Sequence, residues 1–553
     1  MKKIILYTIS LLFLVTSCDL DYFPSDALTP EQLSADPGGA IYITEGNYSM
    51  FKDEFEYKGL YSSGNTYIRH YMQMTEYPSD NVTLSGRTTD PLYEAAVYRT
   101  TNTMKNVSTV WWLAYRIILG TNSVIGNVQD GASVESDHLK GENYFMRAIT
   151  HLHLVTLYAK PYSQGRENQG VILRTSTDTS ESTFATVGEV YDQIVADLKE
   201  AIRLMSVGSR RGNAGFASKE AAQGLLSRVY LYMGMNQEVV DIVNEMLDGA
   251  SPDSKLEPTA SFPGYFANAL TSKETLWAIA HTSLESMGQS SIASMYLNDG
   301  MGWGEVFSAD PLNDLYERYP QDIRYSSFVI PKYDDNSSSM MISWPVESDG
   351  TEDFRSNELR DVELNTSNKY FFTEGSQNIT VETEIVNGYP QNYIMWEGSK
   401  HKVRLTPKMQ NRNSFPLYYI SKFSYQDGNP MLSSPVMIRW AEVILNRAEA
   451  YAKLNMNAEA LADVNVIRQR AGLSGDALFT TTNMAERGYN TVLDVVLDER
   501  RLELAYEGHR MFDLYRNNRE MDRRFAGVQP WEVISPDNPK IQYPIPFDET
   551  SVN

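Results

Sequence analysis

The stretch that decides the fold lies at residues 493–516 and reads LDVVLDERRLELAYEGHRMFDLYR. Its apolar residues recur at helical spacing, which predicts a helix with one apolar stripe. The residues of this stripe are Leu493, Val496, Leu497, Leu504 and Ala505. Gly508 is a predicted helix stop, and a second apolar cluster begins just after it, at Met511 and Phe512.

Charged side chains fill the positions between these apolar residues. They are Glu499, Arg500, Arg501, Glu503, Glu507, Arg510, Asp513 and Arg516. So close to apolar faces, several must be partly buried, and buried charges persist only when they are paired and hydrogen-bonded. Arginine suits this role because its planar guanidinium grips a carboxylate with two hydrogen bonds. We therefore predict an ion-pair lattice that locks the helix into the core; a carboxylate pair for acid–base catalysis is the alternative.

The ERRLEL–EGHR–FDL–R pattern of this stretch resembles the signature of the SusD/RagB family, the nutrient-binding surface lipoproteins of Bacteroidetes. Further stretches are similar to the same family. They are the Ser79-Asp80-Asn81 turn, the helix with Trp112, Tyr115 and Asn122, the run Tyr419 to Phe423 and the tail Tyr543 to Pro546. The resemblance covers almost the whole chain and is closest at residues 436–516.

The N-terminus reads MKKIILYTISLLFLVTSC. Two lysines precede an apolar run that is too short to span a bilayer but typical of a signal-peptide core. Residues 15–18 resemble a lipobox, which predicts cleavage after residue 17 and acylation of Cys18, the single cysteine. An ordinary secretion signal is the alternative. Residues 18–35 are then predicted to form an extended tether.

The amino-acid composition limits the kinds of partner that the protein can bind. The formal charge of −23 argues against nucleic acid, because phosphate binding needs clustered lysine and arginine. A hydrophobic content of 42% is typical of a globular protein. The 35 tyrosines and 8 tryptophans include rigid amphipathic rings of the kind that binding surfaces use, although most will pack in the core.

Helical periodicity predicts a mainly α, tetratricopeptide-like repeat scaffold. Helices are expected at 110–125, 142–158 and 187–205, and as pairs at 218–233 with 238–247 and at 439–454 with 458–471. The scaffold is divided into residues 36–249 and 436–553. Between them, residues 250–435 are predicted to form a loop-rich, ligand-binding insertion with short β-strands, one of them at 326–330, because loops on a rigid scaffold commonly carry binding sites. Residues 83–98, with Gly86, Pro91 and many polar side chains, are predicted to form an exposed loop.

Motifs of familiar catalytic and metal sites are missing from the sequence, and no catalytic residue, metal site or cofactor is assigned. Seven scattered histidines do not indicate zinc, and Asp334-Asp335-Asn336 lacks the alternating spacing of a calcium loop. Two carboxylates at a suitable separation would suffice for a glycosidase, and sequence alone does not give that distance.

The resemblance implies a non-catalytic lipoprotein on the outer face of the outer membrane. Such a protein holds a glycan, or in the RagB branch a peptide, and delivers it to a SusC-like TonB-dependent transporter. Aromatic faces offer apolar platforms to sugar C–H groups, and polar side chains hydrogen-bond the hydroxyls. The candidate ligand residues are Asp80, Asn81, Arg87, Tyr93, Trp303, Trp344, Tyr389 and Trp396. Trp303 leads because two glycines flank it.

Three alternatives stay open at this point. A peptide ligand is the closest of them. A lipid-anchored glycoside hydrolase would release reducing sugar, and a helical scaffold for envelope proteins would bind a partner protein without glycan affinity.

Overall fold

The computed structural model describes residues 39–552 except 57–63, 87–91, 179, 181–182, 209, 335–337 and 348–353. The predicted signal peptide at 1–17, Cys18 and the tether at 18–35 lie outside the described residues, and so does Arg87.

Helices dominate both ends of the chain. The N-terminal helices are α1 (Gly39–Ser49), α2 (Tyr67–Glu76), α3 (Tyr93–Ala96), α4 (Lys105–Asn127), α5 (Val134–Tyr158), α6 (Val187–Leu204), α7 (Lys219–Met233) and α8 (Asn236–Leu247). The later ones are α9 (Ala293–Tyr296), α10 (Asp310–Glu317), α11 (Ile323–Phe328), α12 (Trp440–Lys453), α13 (Asn457–Arg470), α14 (Val492–Glu503), α15 (Arg510–Arg516) and α16 (Phe547–Val552). None of the helices in the described ranges has the length and apolar character needed to cross a bilayer.

Helices α4, α5 and α6 pack side by side. Local sequence sets their ends: Thr186 and Glu189 form a reciprocal capping box at the start of α6. A buried ion pair joins two of them, because Arg147 of α5 donates two hydrogen bonds to Asp197 of α6, at 2.8 and 2.6 Å. The apolar stripes of the three helices meet in one large core.

The pairs α7–α8 and α12–α13 have the helix–turn–helix form predicted from sequence. Gly234 and Asn455, the turn residues, both adopt positive φ, which lets each second helix fold back on the first. The two pairs are linked across nearly 200 residues of sequence. Arg228 of α7 grips Glu442 of α12 at 2.6 and 2.7 Å, and Asn446 donates to Ser227 at 3.0 Å. The two halves of the scaffold therefore form one body.

Between the halves lie most of the strands. Those outside the insertion are β1 (Val82–Leu84), β2 (Gln169–Ile172), β3 (Phe184–Thr186), β18 (Val436–Arg439), β19 (Met521–Asp522) and β20 (Val533–Ile534). Within it are β4 (Thr275–Ala278), β5 (Val306–Ser308), β6 (Val329–Pro331), β7 (Met340–Glu347), β8 (Arg355–Leu364), β9 (Tyr370–Glu374), β10 (Gln377–Thr380), β11 (Glu382–Val386), β12 (Tyr389–Trp396), β13 (Ser399–Lys402), β14 (Arg404–Pro407), β15 (Asn411–Arg412), β16 (Phe415–Pro416) and β17 (Tyr418–Ile420).

The insertion leaves and rejoins the scaffold at one place, because β4 near its start pairs antiparallel with β18 just after its end. Its centre holds a five-stranded antiparallel sheet in the order β10-β9-β8-β7-β14, beside a three-stranded sheet β11-β12-β13. Their inner faces share a small core that includes Ile342, Trp344 and Ile394. The insertion is thus more regular than the loop-rich segment expected from sequence, with strands of up to 10 residues.

The prediction of a mainly α, repeat-based scaffold with a β-containing insertion is confirmed. Two local predictions were wrong. The described part of residues 83–98 is not an exposed loop: the end of β1 and α3 lie there, and both are largely buried. Residues 326–330 were expected to be a strand, but α11 ends at Phe328 and only the short β6 follows.

The stretch 493–516 forms two helices, α14 and α15, with Gly508 between them in a left-handed conformation. A Cβ at Gly508 would overlap the side chain of Thr75, so this turn presses against α2. Val496, Leu497, Leu504 and Ala505 of the predicted stripe are buried while Leu493 is half-buried, and Glu499, Arg500, Arg501 and Glu503 are buried as well.

Candidate functional site: the surface around Trp303

A tight turn between α9 and β5 carries Trp303. The backbone N–H groups of Trp303 and Gly304 both donate to the carbonyl of Ser294, at 2.6 and 2.9 Å, and Glu305 donates to Met295 at 2.9 Å. From there the chain enters β5, which pairs antiparallel with β1. The turn is therefore held on both sides by backbone hydrogen bonds.

The two glycines that flank Trp303 are required by close packing. A Cβ at Gly302 would overlap the carbonyl oxygen of Leu297, and one at Gly304 would lie 2.7 Å from the ring of Tyr419. Gly304 also has φ of +53°, where side chains are strained. With both neighbours pressed into the protein, the indole of Trp303 points outward and is 51% exposed.

Arg412 clamps this turn from a neighbouring hairpin. It ends β15, and the hairpin turn after it places Asn413 and Ser414 at positive φ, as two-residue hairpin turns require. The Arg412 guanidinium donates to the carbonyls of Trp303 at 2.9 Å and Gly304 at 3.2 Å, and pairs with Glu305 at 2.9 Å.

A second exposed ring lies beside the turn. The hydroxyl of Tyr425 donates to the Asp299 carboxylate at 3.0 Å, and burial together with this hydrogen bond raises the pKa of Tyr425 to about 12. Met301, also exposed, stands between Asp299 and Trp303 in sequence. We call the five residues Asp299, Met301, Trp303, Arg412 and Tyr425 the Trp303 surface.

This surface has the chemistry of a glycan site. The indole and the phenol ring offer flat apolar faces, while Asp299 accepts hydrogen bonds and the Arg412 guanidinium donates them. The backbone clamps keep the indole in place, so little conformational entropy is lost when a ligand packs on it. Of the residues predicted from sequence to bind ligand, Trp303 alone is placed here within the described residues.

Asp80 and Asn81 lie in the core instead. The Asp80 carboxylate receives two hydrogen bonds from Arg510, at 2.8 and 3.0 Å, and Arg501 donates to Asn81 at 2.9 Å. Burial favours the neutral acid, but Arg501 and Arg510 outweigh it and lower the pKa of Asp80 below its ordinary value. This turn is thus fastened to the C-terminal signature, and its polar atoms are committed within the protein.

Three other predicted residues are also structural in position. Tyr93 is buried in the main core, and Trp344 is 1% exposed in the core of the insertion. Trp396 packs on Trp344 with ring centres 5.8 Å apart. Burial removes Tyr93 and Trp344 from the ligand-binding surface that the sequence suggested, whereas Trp396 is partly buried against the core of the insertion. Arg87 lies outside the described residues; Ser85, two residues earlier, accepts a hydrogen bond from Asn413 at 2.9 Å.

Tyr389 stands apart from the Trp303 surface, in a cleft between α10 and β12. Its hydroxyl lies 2.6 Å from that of Tyr319.

Sequence reasoning missed four members of the Trp303 surface: Asp299, Met301, Arg412 and Tyr425. Turn chemistry was the available signal. Asn413-Ser414 and Asp427-Gly428 both mark exposed turns, so the arginine and tyrosine just before them were candidates for a surface role.

Glu499, Glu503 and Glu507 of the signature belong to one buried network of charges, whereas Asp513 pairs separately with Arg500 and Arg516. Its members are Glu274, Asp322, Arg324, Lys422, Arg439, Arg468, Arg470, Glu499, Glu503 and Glu507. We call this set the signature network. It joins the insertion, through Glu274, Arg324 and Lys422, to the C-terminal helices. Each of its carboxylates is ion-paired, as the ion-pair lattice prediction requires.

In the ranges that the structure covers, no set of three or more His, Cys, Asp or Glu side chains is arranged to ligate an ion.

Fold and surface together define a class of protein: a helical-repeat scaffold that presents a clamped aromatic surface on its loops. Two family models match the chain. The SusD family model matches residues 273–553, and a model described as starch-binding associating with outer membrane matches residues 55–231. This chain belongs to the SusD family.

Individual relatives agree with this assignment. A SusD-like protein of Formosa agariphila is 26% identical over 419 residues, covering 74% of this chain and 71% of its own length. A second SusD-like protein of that organism is 23% identical and covers 100% of this chain and 97% of its own length.

Solved structures share the fold. A SusD superfamily protein from Bacteroides thetaiotaomicron superposes with a TM-score of 0.67 at 21% identity, covering 93% of this chain and 97% of that one. A SusD-like carbohydrate binding protein from Bacteroides vulgatus gives a TM-score of 0.65 at 18% identity, covering 93% and 96%.

Proposed function

We propose that this protein binds an oligosaccharide or polysaccharide, without cleaving it, on the Trp303 surface. One observation carries the proposal: an indole is held half exposed by backbone hydrogen bonds and by two glycines that admit no side chain. Contact between a large apolar ring and water is unfavourable. An indole that is fixed in an exposed position is therefore expected where a ligand covers it.

Family membership supports the same ligand class. The model that matches residues 55–231 describes starch binding, and one of the similar solved structures is named a carbohydrate binding protein. The sugar would stack on Trp303 and Tyr425, with Asp299 and Arg412 placed to bond its hydroxyl groups. Arg87 remains a further candidate, because the chain just before it runs beside Arg412.

Delivery to a transporter is the second part of the proposal. The protein would be anchored in the outer membrane by lipid on Cys18, at the cell surface, and would pass its glycan to a SusC-like TonB-dependent barrel. The lipobox-like sequence supports the anchor, and the family description supports the membrane. Co-purification of the barrel from detergent-solubilised outer membranes tests the partnership, and loss of membrane association in Cys18→Ala tests the anchor.

We also propose that the division of the chain follows function. Residues 36–249 and 436–553 form the scaffold, and residues 250–435 supply the binding surface. The location of all five members of the Trp303 surface between residues 299 and 425 supports this division.

The ligand class is tested by affinity electrophoresis of the purified protein in gels that contain single polysaccharides, with calorimetry against oligosaccharides and peptides. We expect a glycan in the gel to retard the protein, and we expect Trp303→Ala to be retarded less. Binding to peptides alone would favour a RagB-like function and contradict the glycan proposal.

Catalysis is tested on the same samples. Release of reducing ends from a retarding polysaccharide would show a hydrolase instead of a binding protein. A non-catalytic protein leaves the polysaccharide intact throughout the incubation.

A further inference from the structure

A second concave feature lies where the scaffold meets the insertion. A cleft of about 450 Å³ opens between α10, with the turn after it, and strands β12 and β14. Its volume falls in the range of roughly 300–1,000 Å³ that is usual for small-molecule sites. Its lining includes Asp314, Glu317, Arg318, Tyr389, Gln391 and Lys402.

The acidic groups of this cleft are already paired. Asp314 forms ion pairs with Lys402 and Arg404, and Glu317 pairs with Arg404 at 2.6 Å. Arg404 is buried beneath them and also approaches Asp310 at 3.3 Å. These contacts engage both carboxylates of the described lining directly, while a further cation of the lining has neither of them in hydrogen-bonding contact.

Arg318 is that further cation. Among the residues that the structure describes, no carboxylate oxygen lies within 4.0 Å of its guanidinium. The group is held in place by neutral partners: it lies 4.9 Å from the ring centre of Tyr389, and it donates to the Tyr489 hydroxyl at 3.2 Å. A partly buried guanidinium without an acidic partner is costly to maintain unless an anion visits it.

The charge balance of this cleft differs from that of the whole chain. The described lining carries two carboxylates and three cations, and Asp310, which approaches Arg404, brings the cluster to charge balance on a protein whose formal charge is −23. A cleft with walls of low dielectric strengthens local fields even when the whole molecule is acidic. The cleft is therefore less acidic than the rest of the protein, and Arg318 can attract an anion there.

We propose that this cleft binds an acidic sugar residue of the glycan, with the Arg318 guanidinium gripping its carboxylate or sulfate oxygens. The planar fork of arginine suits either oxyanion. Tyr389 offers a ring edge and face to the sugar, and the amides of Gln391 and Asn392 stand in the same lining for its hydroxyls. The assignment names the class of sugar and so rests on the proposed function.

Calorimetry with three matched trisaccharides tests it: trigalacturonate, sulfated maltotriose and neutral maltotriose. We expect one of the two acidic probes to bind at least tenfold more tightly than maltotriose, and more weakly as salt concentration rises. Which acidic probe binds identifies the source of the anion. Arg318→Gln should reduce acidic binding to the neutral level, and Arg318→Lys should restore part of it.

Arg524→Gln is the matched control, because Arg524 is exposed and its ion pair is with the neighbouring Asp522. It should leave all three affinities unchanged. Equal binding of acidic and neutral probes by the unmodified protein would overturn the proposal without use of a variant.

Two further outcomes separate the two proposals. If Trp303→Ala abolishes binding of the acidic probe and Arg318→Gln does not, the acidic sugar lies on the Trp303 surface and the cleft proposal is refuted. Failure of every glycan in the panel to bind would instead contradict the proposed function itself.

Discussion

Replacement of Glu503 by glutamine should cost the protein about 3 kcal/mol of unfolding free energy. Glu503 is at the centre of the signature network: its carboxylate contacts Arg439 at 2.6 Å, Arg324 at 3.2 Å and Arg470. Burial opposes its ionisation, but Arg470, Arg439 and Arg324 outweigh this and hold the pKa of Glu503 below its ordinary value.

The magnitude follows from the charge balance. The network pairs five cations with five carboxylates, and all ten side chains are almost completely buried. Glutamine keeps the size of the side chain but removes one negative charge, so one buried positive charge is left uncompensated. Breaking a buried pair costs about 3–5 kcal/mol, and we expect the lower end because Glu274, Glu499 and Glu507 still face the same arginines.

Urea unfolding followed by circular dichroism measures this cost. The control is Glu200→Gln, which removes an exposed carboxylate from its pair with Arg203, 2.8 Å away; exposed pairs contribute up to about 1 kcal/mol. A loss for Glu503→Gln no larger than that of the control would refute the structural role of the network. If the protein releases reducing sugar and Glu503→Gln abolishes this release, the catalytic alternative is supported instead.

Two further predictions concern buried acids of the α2 region. Burial raises the pKa of Glu76 to about 7 from an ordinary value near 4.5, so the folded protein holds a proton that the unfolded chain releases, and stability falls as pH rises from about 4.5 to 7. Glu76→Gln should remove a pH dependence of the unfolding free energy on the order of 2–3 kcal/mol across this window. Thermal unfolding measures this, and a stability that changes with pH in the same way in both proteins would contradict the prediction. Asp80→Asn should cost about 3 kcal/mol by leaving Arg501 and Arg510 without their shared carboxylate, while the folded variant keeps full glycan affinity in calorimetry. Weakened binding by a folded Asp80→Asn protein would return Asp80 to the ligand site.

Helices of the scaffold were predictable because their signals are local. The predicted helix at 187–205 is observed at Val187–Leu204, where a capping box and a regular apolar stripe fix it. The pair at 218–233 and 238–247 is observed within two residues of its predicted bounds. Periodicity and caps depend on neighbours a few residues away, which the sequence displays directly.

Burial of the polar turn at residues 80 and 81 was not predictable because it depends on distant partners. Asp80 reads as an exposed turn residue, yet the arginine that buries it lies 430 residues later. Strand β8 has the sequence RSNELRDVEL and pairs with β7. Its many charged residues leave no regular alternation of apolar and polar residues, so the sequence does not indicate a strand. Trp344 and Trp303 look alike in sequence, and only the glycines beside Trp303 distinguish the exposed ring from the buried one.

The central claim is tested most directly by titrating Trp303→Ala with the glycan that retards the unmodified protein. We expect its dissociation constant to rise roughly 30-fold, about 2 kcal/mol, because an indole at the centre of a binding surface contributes that much. Trp531→Ala, which removes another exposed indole, should bind as the unmodified protein does. Unchanged affinity in a folded Trp303→Ala protein would contradict the account and place the glycan elsewhere on the molecule.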